Sequence, residues 1–268
     1  MQIRWSGIAL LGVLWSLAAW SCQQDKVAEE KRGEFEWESR RFMKKSADCE
    51  TDSFRCAVIK ASYLLPVAGP EPARRSISDT LMQFVRRSLA VFAVADEEIP
   101  GSLDAIANSF LEEYELMQQD EPGYEIPWSV ETSGELLSEN GQVVCMEITN
   151  FAYAGGVHPN SYVTLLNFDA TSGKKLLLKD IVTDTLQLKR MAEAKFREMK
   201  GLEPGVSLSD AGFFWGDAFT LPENIGFKGD SLLFYYNPYE IAAYVEGPTS
   251  FTLPLSEVKS ILRKRKKH

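Results

Sequence analysis

Two long strand-like segments, EIPWSVETSGELL (125–137) and QVVCMEITNFAYA (142–154), flank Ser138-Glu139-Asn140-Gly141. Asn-Gly between two such runs is the strongest short-range hairpin signal, because both residues tolerate the positive φ of a tight turn. An antiparallel sheet is therefore what the rest of the fold must accommodate. SYVTLLNFD (161–169) and KKLLLKDIV (174–182) flank Ala170-Thr171-Ser172-Gly173 and predict a second hairpin. Further strand candidates are FRCAVIKASYLLP (54–66), ended by Pro66, and NIGFKG, SLLFYYNPYEIA and TSFTLPL in the last third.

Three segments carry the helical period instead. After the Pro/Gly-rich linker PVAGPEPARR, SISDTLMQFVRRSLAVFAV aligns Leu81, Phe84, Val85, Leu89 and Phe92, with Ser78 as its cap. SLDAIANSFLEEYELMQQ, capped by Ser102, puts Leu103, Ile106, Phe110, Tyr114 and Met117 on one face. TLQLKRMAEAKFREMKG places Leu188, Met191, Ala192, Lys195 and Met199 along one side and ends at Gly201. The first two helices are half polar, so each lays one side on something flat. The expected class is α+β with two lobes, antiparallel sheets and helices packed on one face. No G-x-G-x-x-G, P-loop or internal repeat is present.

The chain begins MQIRWSGIALLGVLWSLAAWSC. One cation, Arg4, precedes an apolar run from Trp5 to Trp20 that is too short for a comfortable membrane span, so residues 1–21 read as a secretory signal. Ala19-Trp20-Ser21-Cys22 resembles a bacterial lipobox, which implies acylation of Cys22 and a membrane as partner through that lipid anchor. Two or three acyl chains, at about 0.8 kcal/mol per buried CH₂, make such an anchor stable. Polar residues 22–35 form a tether, and the expected location is the bacterial cell envelope.

That location bears on the remaining cysteines. Cys49 and Cys56 bracket the polar loop CETDSFRC, where a disulfide is expected because the compartment is oxidising. No second Cys/His pair completes a metal site there. Cys145, inside VVCMEI, reads as a small buried hydrophobe. The chain carries 29 basic and 38 acidic residues, net −9, although its last six residues are RKRKKH. An acidic body argues against nucleic acid. The basic tail, 263–268, is expected to be a solvated end, with contact to anionic lipid or wall polymer as the alternative.

Two stretches stand out as candidate surfaces. In AGGVHPN, Gly155 and Gly156 permit positive φ, Pro159 pushes His158 towards an extended conformation, and Asn160 can seat the next strand. As a metal ligand His158 has only His268 for company, and as a general base it has no carboxylate or nucleophile identifiable by spacing. In SLLFYYNPYEIAAYVEGP, Tyr235, Tyr236, Tyr239 and Tyr244, with Pro238 and Glu240, could form an aromatic shelf for sugar rings or a protein. Strand alternation puts Tyr235 and Tyr236 on opposite faces, so at most one of them serves a common surface. A structural turn and a strand rim are the plainer readings of the two stretches.

GGVHPNSYVTLLNFDATSGKKLLLKDIV followed by SLLFYYNPYEIAAYVEGPTSFTLPLSEVKSIL resembles the C-terminal module of RsiV/PdaC-type bacterial envelope proteins, which carry domains of unknown function 3298 and 4163. The resemblance covers about residues 150–262, and more weakly 36–149 as the 4163-like lobe. It implies a two-lobed α+β module, seen in an anti-sigma factor that binds lysozyme and beside a peptidoglycan deacetylase domain. The deacetylase's histidine-based metal site does not carry over, because this chain has only two histidines.

The expected function is a non-catalytic envelope lipoprotein, without cofactor, that binds peptidoglycan, a glycan or a lysozyme-like muramidase. The expected surface is the 155–160 turn with Tyr235–Glu240. The alternatives are a hydrolase using carboxylates such as Asp169, Asp180 and Glu240, or a spacer with no ligand.

Overall fold

The computed structural model describes residues 34–92, 99–121 and 123–265. The signal segment, Cys22 and nearly all of the tether lie outside the described residues. Strands β1 (Glu36–Lys45), β2 (Ala57–Ala68), β3 (Trp128–Asn140), β4 (Val143–Tyr153), β5 (Asn160–Asp169) and β6 (Lys175–Leu176) form one sheet in that order. All neighbours are antiparallel except β2 and β3. A parallel pair needs a crossover, and helices α1 (Glu71–Leu89) and α2 (Leu103–Asp120) lie within it. The short α3 (Leu178–Ile181) and the longer α4 (Thr185–Lys200) lead to a second antiparallel sheet, β7 (Asn224–Lys228), β8 (Ser231–Tyr236) and β9 (Thr249–Pro254), with α5 (Leu255–Val258) after it. The α+β class and both antiparallel-rich sheets agree with expectation. The expected boundary between residues 149 and 150 falls inside β4.

Local chemistry explains where the elements differ from the sequence reading. The first hairpin forms with Asn140 opposite Val143, but Gly141 is not at positive φ. Asn140 Oδ1 instead accepts from the Gln142 and Val143 N–H groups at 3.0 and 2.9 Å, so its side chain builds the turn. The second hairpin is cut short after two residues of β6. There the Asp180 carboxylate accepts from the Leu177 N–H at 3.0 Å and winds LKDI into α3.

Helix α1 starts at Glu71 rather than near Ser78, because Pro72 in its first turn has no N–H to lose. Strand β2 runs through Pro66, which lies beyond the 57–62 stretch paired with β3. Ser102 caps α2 as expected, accepting from Ala105 N–H at 3.1 Å. Helix α4 ends at left-handed Gly201, but its buried face is Leu188, Ala192 and Phe196; Met199 is exposed.

The apolar run Val143 to Met146 is buried on both faces of the first sheet. Val144 and Met146 pack with Ile77, Leu81 and Phe168 towards α1, while Val143 and Cys145 join Ile225, Phe227 and the α4 face. Cys145 is thus the buried hydrophobe expected, its thiol pushed up to about 12 by burial. Cys49 and Cys56 are joined in a disulfide. The first residues of the basic tail are held by hydrogen bonds, although Arg263 and Lys264 remain exposed. Arg263 donates to the carbonyls of Ile181 and Lys179, and Arg265 pairs with Asp169 at 3.1 Å and donates to the Asp180 carbonyl.

Three asparagines join the two sheets. Among the described residues, the outer edge of β5 has no backbone partner before Asn167, and side-chain amides take that place. Asn224 accepts from Leu165 N–H at 2.9 Å and donates to the Val163 carbonyl at 3.0 Å. Asn237 accepts from Val163 N–H and donates to the same carbonyl. In the other direction, buried Asn167 donates to Ile225 O at 2.7 Å and accepts from Phe227 N–H at 3.3 Å, capping the free edge of β7. An amide carries one donor and one acceptor group, so it substitutes for a missing strand residue.

Candidate functional site

The turn between β4 and β5 is built as its glycines require. Gly155 and Gly156 have φ of +90° and +103°, and a Cβ on Gly155 would sit 3.2 Å from the Tyr124 hydroxyl oxygen. Tyr124 accepts from Trp128 Nε1 at 2.9 Å, and Tyr153 donates to the Gly156 carbonyl at 3.3 Å. These contacts hold the base of the turn while Val157 at its tip is fully exposed.

His158 meets the second candidate segment here. Its ring stacks on Tyr244 with centroids 3.8 Å apart and planes 13° from parallel, and its Nε2 lies 3.2 Å from the Tyr239 hydroxyl. Nδ1 lies 3.1 Å from the Pro159 carbonyl, which can only accept, so Nδ1 carries the proton. In the neutral ring Nε2 then accepts from the Tyr239 O–H. Tyr244 donates to the Pro159 carbonyl at 3.1 Å, and the Tyr239 and Tyr244 rings are 5.4 Å apart.

Tyr239 reaches this position through an unusual backbone. It sits at φ +68° in the turn Asn237-Pro238-Tyr239-Glu240, a conformation costly for a bulky residue. The turn is closed by Glu240 N–H to the Asn237 carbonyl at 3.1 Å and by Asn237 N–H to the Glu240 carboxylate at 2.8 Å. Burial of that carboxyl raises its pKa, the Glu223 charge adding to the rise and the Asn237 N–H opposing it; the residue as a whole is exposed. Tyr239 is 57% exposed, and Val245, next to Tyr244, is 88% exposed. His158, Tyr239 and Tyr244 thus form an aromatic knuckle with exposed apolar residues on either side.

The other expected surface residues divide. Gly155, Gly156 and Asn160 belong to the same turn, and Glu240 shapes its counterpart. Tyr235 is half-buried, packed on Val163, Leu165 and Leu233, and its phenol is raised by burial first and by the Glu147 charge second. Tyr236 is completely buried and donates to the Thr220 carbonyl at 2.6 Å, so it is removed from the candidate surface. Alternation along β8 puts the two on opposite faces as expected, yet neither joins the knuckle. Tyr244, eight residues after Tyr236, carries the stacking contact.

The carboxylates of the hydrolase alternative are each occupied locally. Burial acts to raise Asp169, but the Ser172 N–H and hydroxyl, the Thr171 N–H and Arg265 outweigh it and hold the carboxyl below its usual range. Asp180 caps α3 and Glu240 closes its own turn. Among the described residues, no group of three or more His, Cys, Asp or Glu side chains is placed to hold a metal ion. No helix among them is long and apolar enough to cross a membrane.

No curated protein matches the chain. Among solved structures, a member of the DUF3298 family from Bacteroides fragilis NCTC 9343 superposes with a TM-score of 0.65 at 18% identity, covering 87% of this chain and 95% of that one. A DUF3298 family protein from Pseudomonas aeruginosa PAO1 gives 0.60 at 18% identity over 86% and 95%. At that identity the two show a shared fold. Residues 178–256, which include Tyr239 and Tyr244 but not the His158 turn, match the model of the DUF3298 family, described as a protein of unknown function.

Proposed function

We propose that this chain is a lipid-anchored protein of the bacterial cell envelope that binds a wall-related partner without performing chemistry on it. The partner is a peptidoglycan or glycan fragment or a lysozyme-like muramidase, and the reading includes kinship with RsiV/PdaC-type proteins. One observation carries it: the His158–Tyr239–Tyr244 knuckle joins two stretches 81 residues apart at an exposed position. Tyrosine and histidine rings with one polar tip suit sugar faces and protein hot spots alike. The lipobox-like Ala19-Trp20-Ser21-Cys22 supports the anchor. The net charge of −9 would draw a basic muramidase, more through on-rate than affinity.

The test is a titration of the chain from Lys26 onward with lysozyme and with muropeptides. Tyr239→Ala and Tyr244→Ala are expected to weaken binding about tenfold or more, equivalent to about 1.4 kcal/mol, while Tyr236→Phe leaves it unchanged. Absence of binding to both at millimolar concentration would remove this reading.

A further inference from the structure

The first sheet leaves part of one face bare, and that face carries a groove. Cross-strand partners share a face, so two rows can be read from the register. One is Arg41, Ser62, Ser133 and Thr149; the other is Met43, Lys60, Glu131 and Phe151. Residues of the opposite parity, Ile59, Ala61, Val130 and Ala152, are buried with Val85, Leu89 and Ile106 of α1 and α2. The two rows therefore face away from the helices. They line a cavity of about 490 Å³, within the range of about 300–1,000 Å³ usual for small-molecule sites.

Its lining includes Met43, which is 63% exposed, Phe151 and Thr149, together with Arg41 and Lys60, whose long side chains carry apolar stems. Its charges are not balanced. Strand β1 carries Arg40, Arg41, Lys44 and Lys45; Arg40 pairs with Glu38, Lys44 with Asp104, and Lys45 with Glu50. Lys60 pairs with Glu131, its neighbour on β3, at 2.8 Å. Arg41 has no ion-pair partner among the described residues, in a chain of net −9 where acidic residues outnumber basic ones.

We infer that this groove binds a small amphipathic carboxylate, its acid group on the Arg41 guanidinium and its apolar body along Met43, Thr149 and Phe151. A guanidinium fork meets a carboxylate through two parallel N–H donors, which fixes the orientation of the ligand. The apolar part supplies affinity by leaving water. The groove is separate from the His158 knuckle, and the inference stands or falls independently of the wall-binding proposal.

Titration of the full chain with octanoate and with octan-1-ol, followed by amide chemical shifts, tests it. Octanoate is expected to saturate with shifts at β1–β4 amides and to bind about tenfold or more tighter than the alcohol. Arg41→Gln should bring the two ligands to within about twofold, and Thr149→Trp, which fills the groove, should abolish both. Unsaturable octanoate binding, shifts centred elsewhere, or wild-type octanoate affinity in Arg41→Gln would each overturn the inference.

Discussion

Asn167→Asp is the most informative single change in this protein, because it alters one donor in the seam between the sheets and almost nothing else. In the native chain, buried Asn167 donates to Ile225 O at 2.7 Å and accepts from Phe227 N–H at 3.3 Å. A carboxylate keeps the second bond and loses the first, setting a charged oxygen against a carbonyl in an apolar wall. Protonation restores the donor, so the folded state raises the pKa of the new carboxyl above the unfolded value of about 3.9. A rise of about 2–3 units corresponds to about 3–4 kcal/mol at neutral pH.

The sign follows from linkage. With the folded pKa raised, the penalty is absent below the unfolded pKa, grows as pH rises through the interval, and levels off above the folded pKa. Urea unfolding of variant and wild type at pH 4.5 and pH 7.5 measures it, each variant value taken relative to wild type at the same pH. Asn167→Leu is the control: it abandons both bonds and costs about 2–4 kcal/mol at either pH. An equal loss for Asn167→Asp at both pH values would refute the claim that the amide donor is what the seam requires.

Tyr236→Phe should cost about 0.5–1.5 kcal/mol in thermal or chemical unfolding, because the part-buried bond from its hydroxyl to the Thr220 carbonyl is lost. Gly173→Ala should destabilise by about 2 kcal/mol or more, since the new Cβ would lie 2.5 Å from the Ala73 carbonyl oxygen at φ +70°. Reducing Cys49–Cys56 should lower unfolding free energy by about 2.5 kcal/mol in the loop-entropy model, measured with and without reductant. Asp169→Asn should lose stability at neutral pH. With the native folded pKa depressed, its contribution is present above the unfolded pKa and lost as pH falls through the folded one, so the variant and wild type should converge in acid.

Period and turn chemistry made much of this fold legible. Asn140-Gly141 located the β3–β4 hairpin, Ser102 the start of α2 and Gly201 the end of α4. What escaped was settled by contacts distant in sequence. Helix α1, which Pro72 lets begin at Glu71, is held in place by the distant Gly173 turn, to whose carbonyl Ser76 Oγ donates. Arg263 and Arg265 read as a free basic end, yet carbonyls and Asp169 some eighty to a hundred residues earlier receive them. The buried Phe196 face of α4 was obscured because Met191 and Met199 offered an equally apolar stripe.

At the candidate site, residue type singled out His158 and the tyrosine-rich stretch, while partnership was a matter of tertiary placement. Alternation separates Tyr235 from Tyr236 but cannot say what covers each face: Tyr235 packs on Val163 and Leu165 of β5, while Tyr236 is buried against Phe214, Phe219 and Phe251. The seam also explains how the knuckle is assembled. Asn237 anchors its amide on Val163, near the start of β5, and two residues later the same turn presents Tyr239 to His158, just before β5 begins. The side-chain amide that closes the sheet edge therefore sets the distance between the two halves of the proposed surface. Positive φ at Tyr239 is tolerated because Glu240 and Asn237 hold the turn from both ends. Loosening Asn237 should therefore impair presentation of Tyr239 before it unfolds the sheet, which makes binding a more sensitive reporter of the seam than stability.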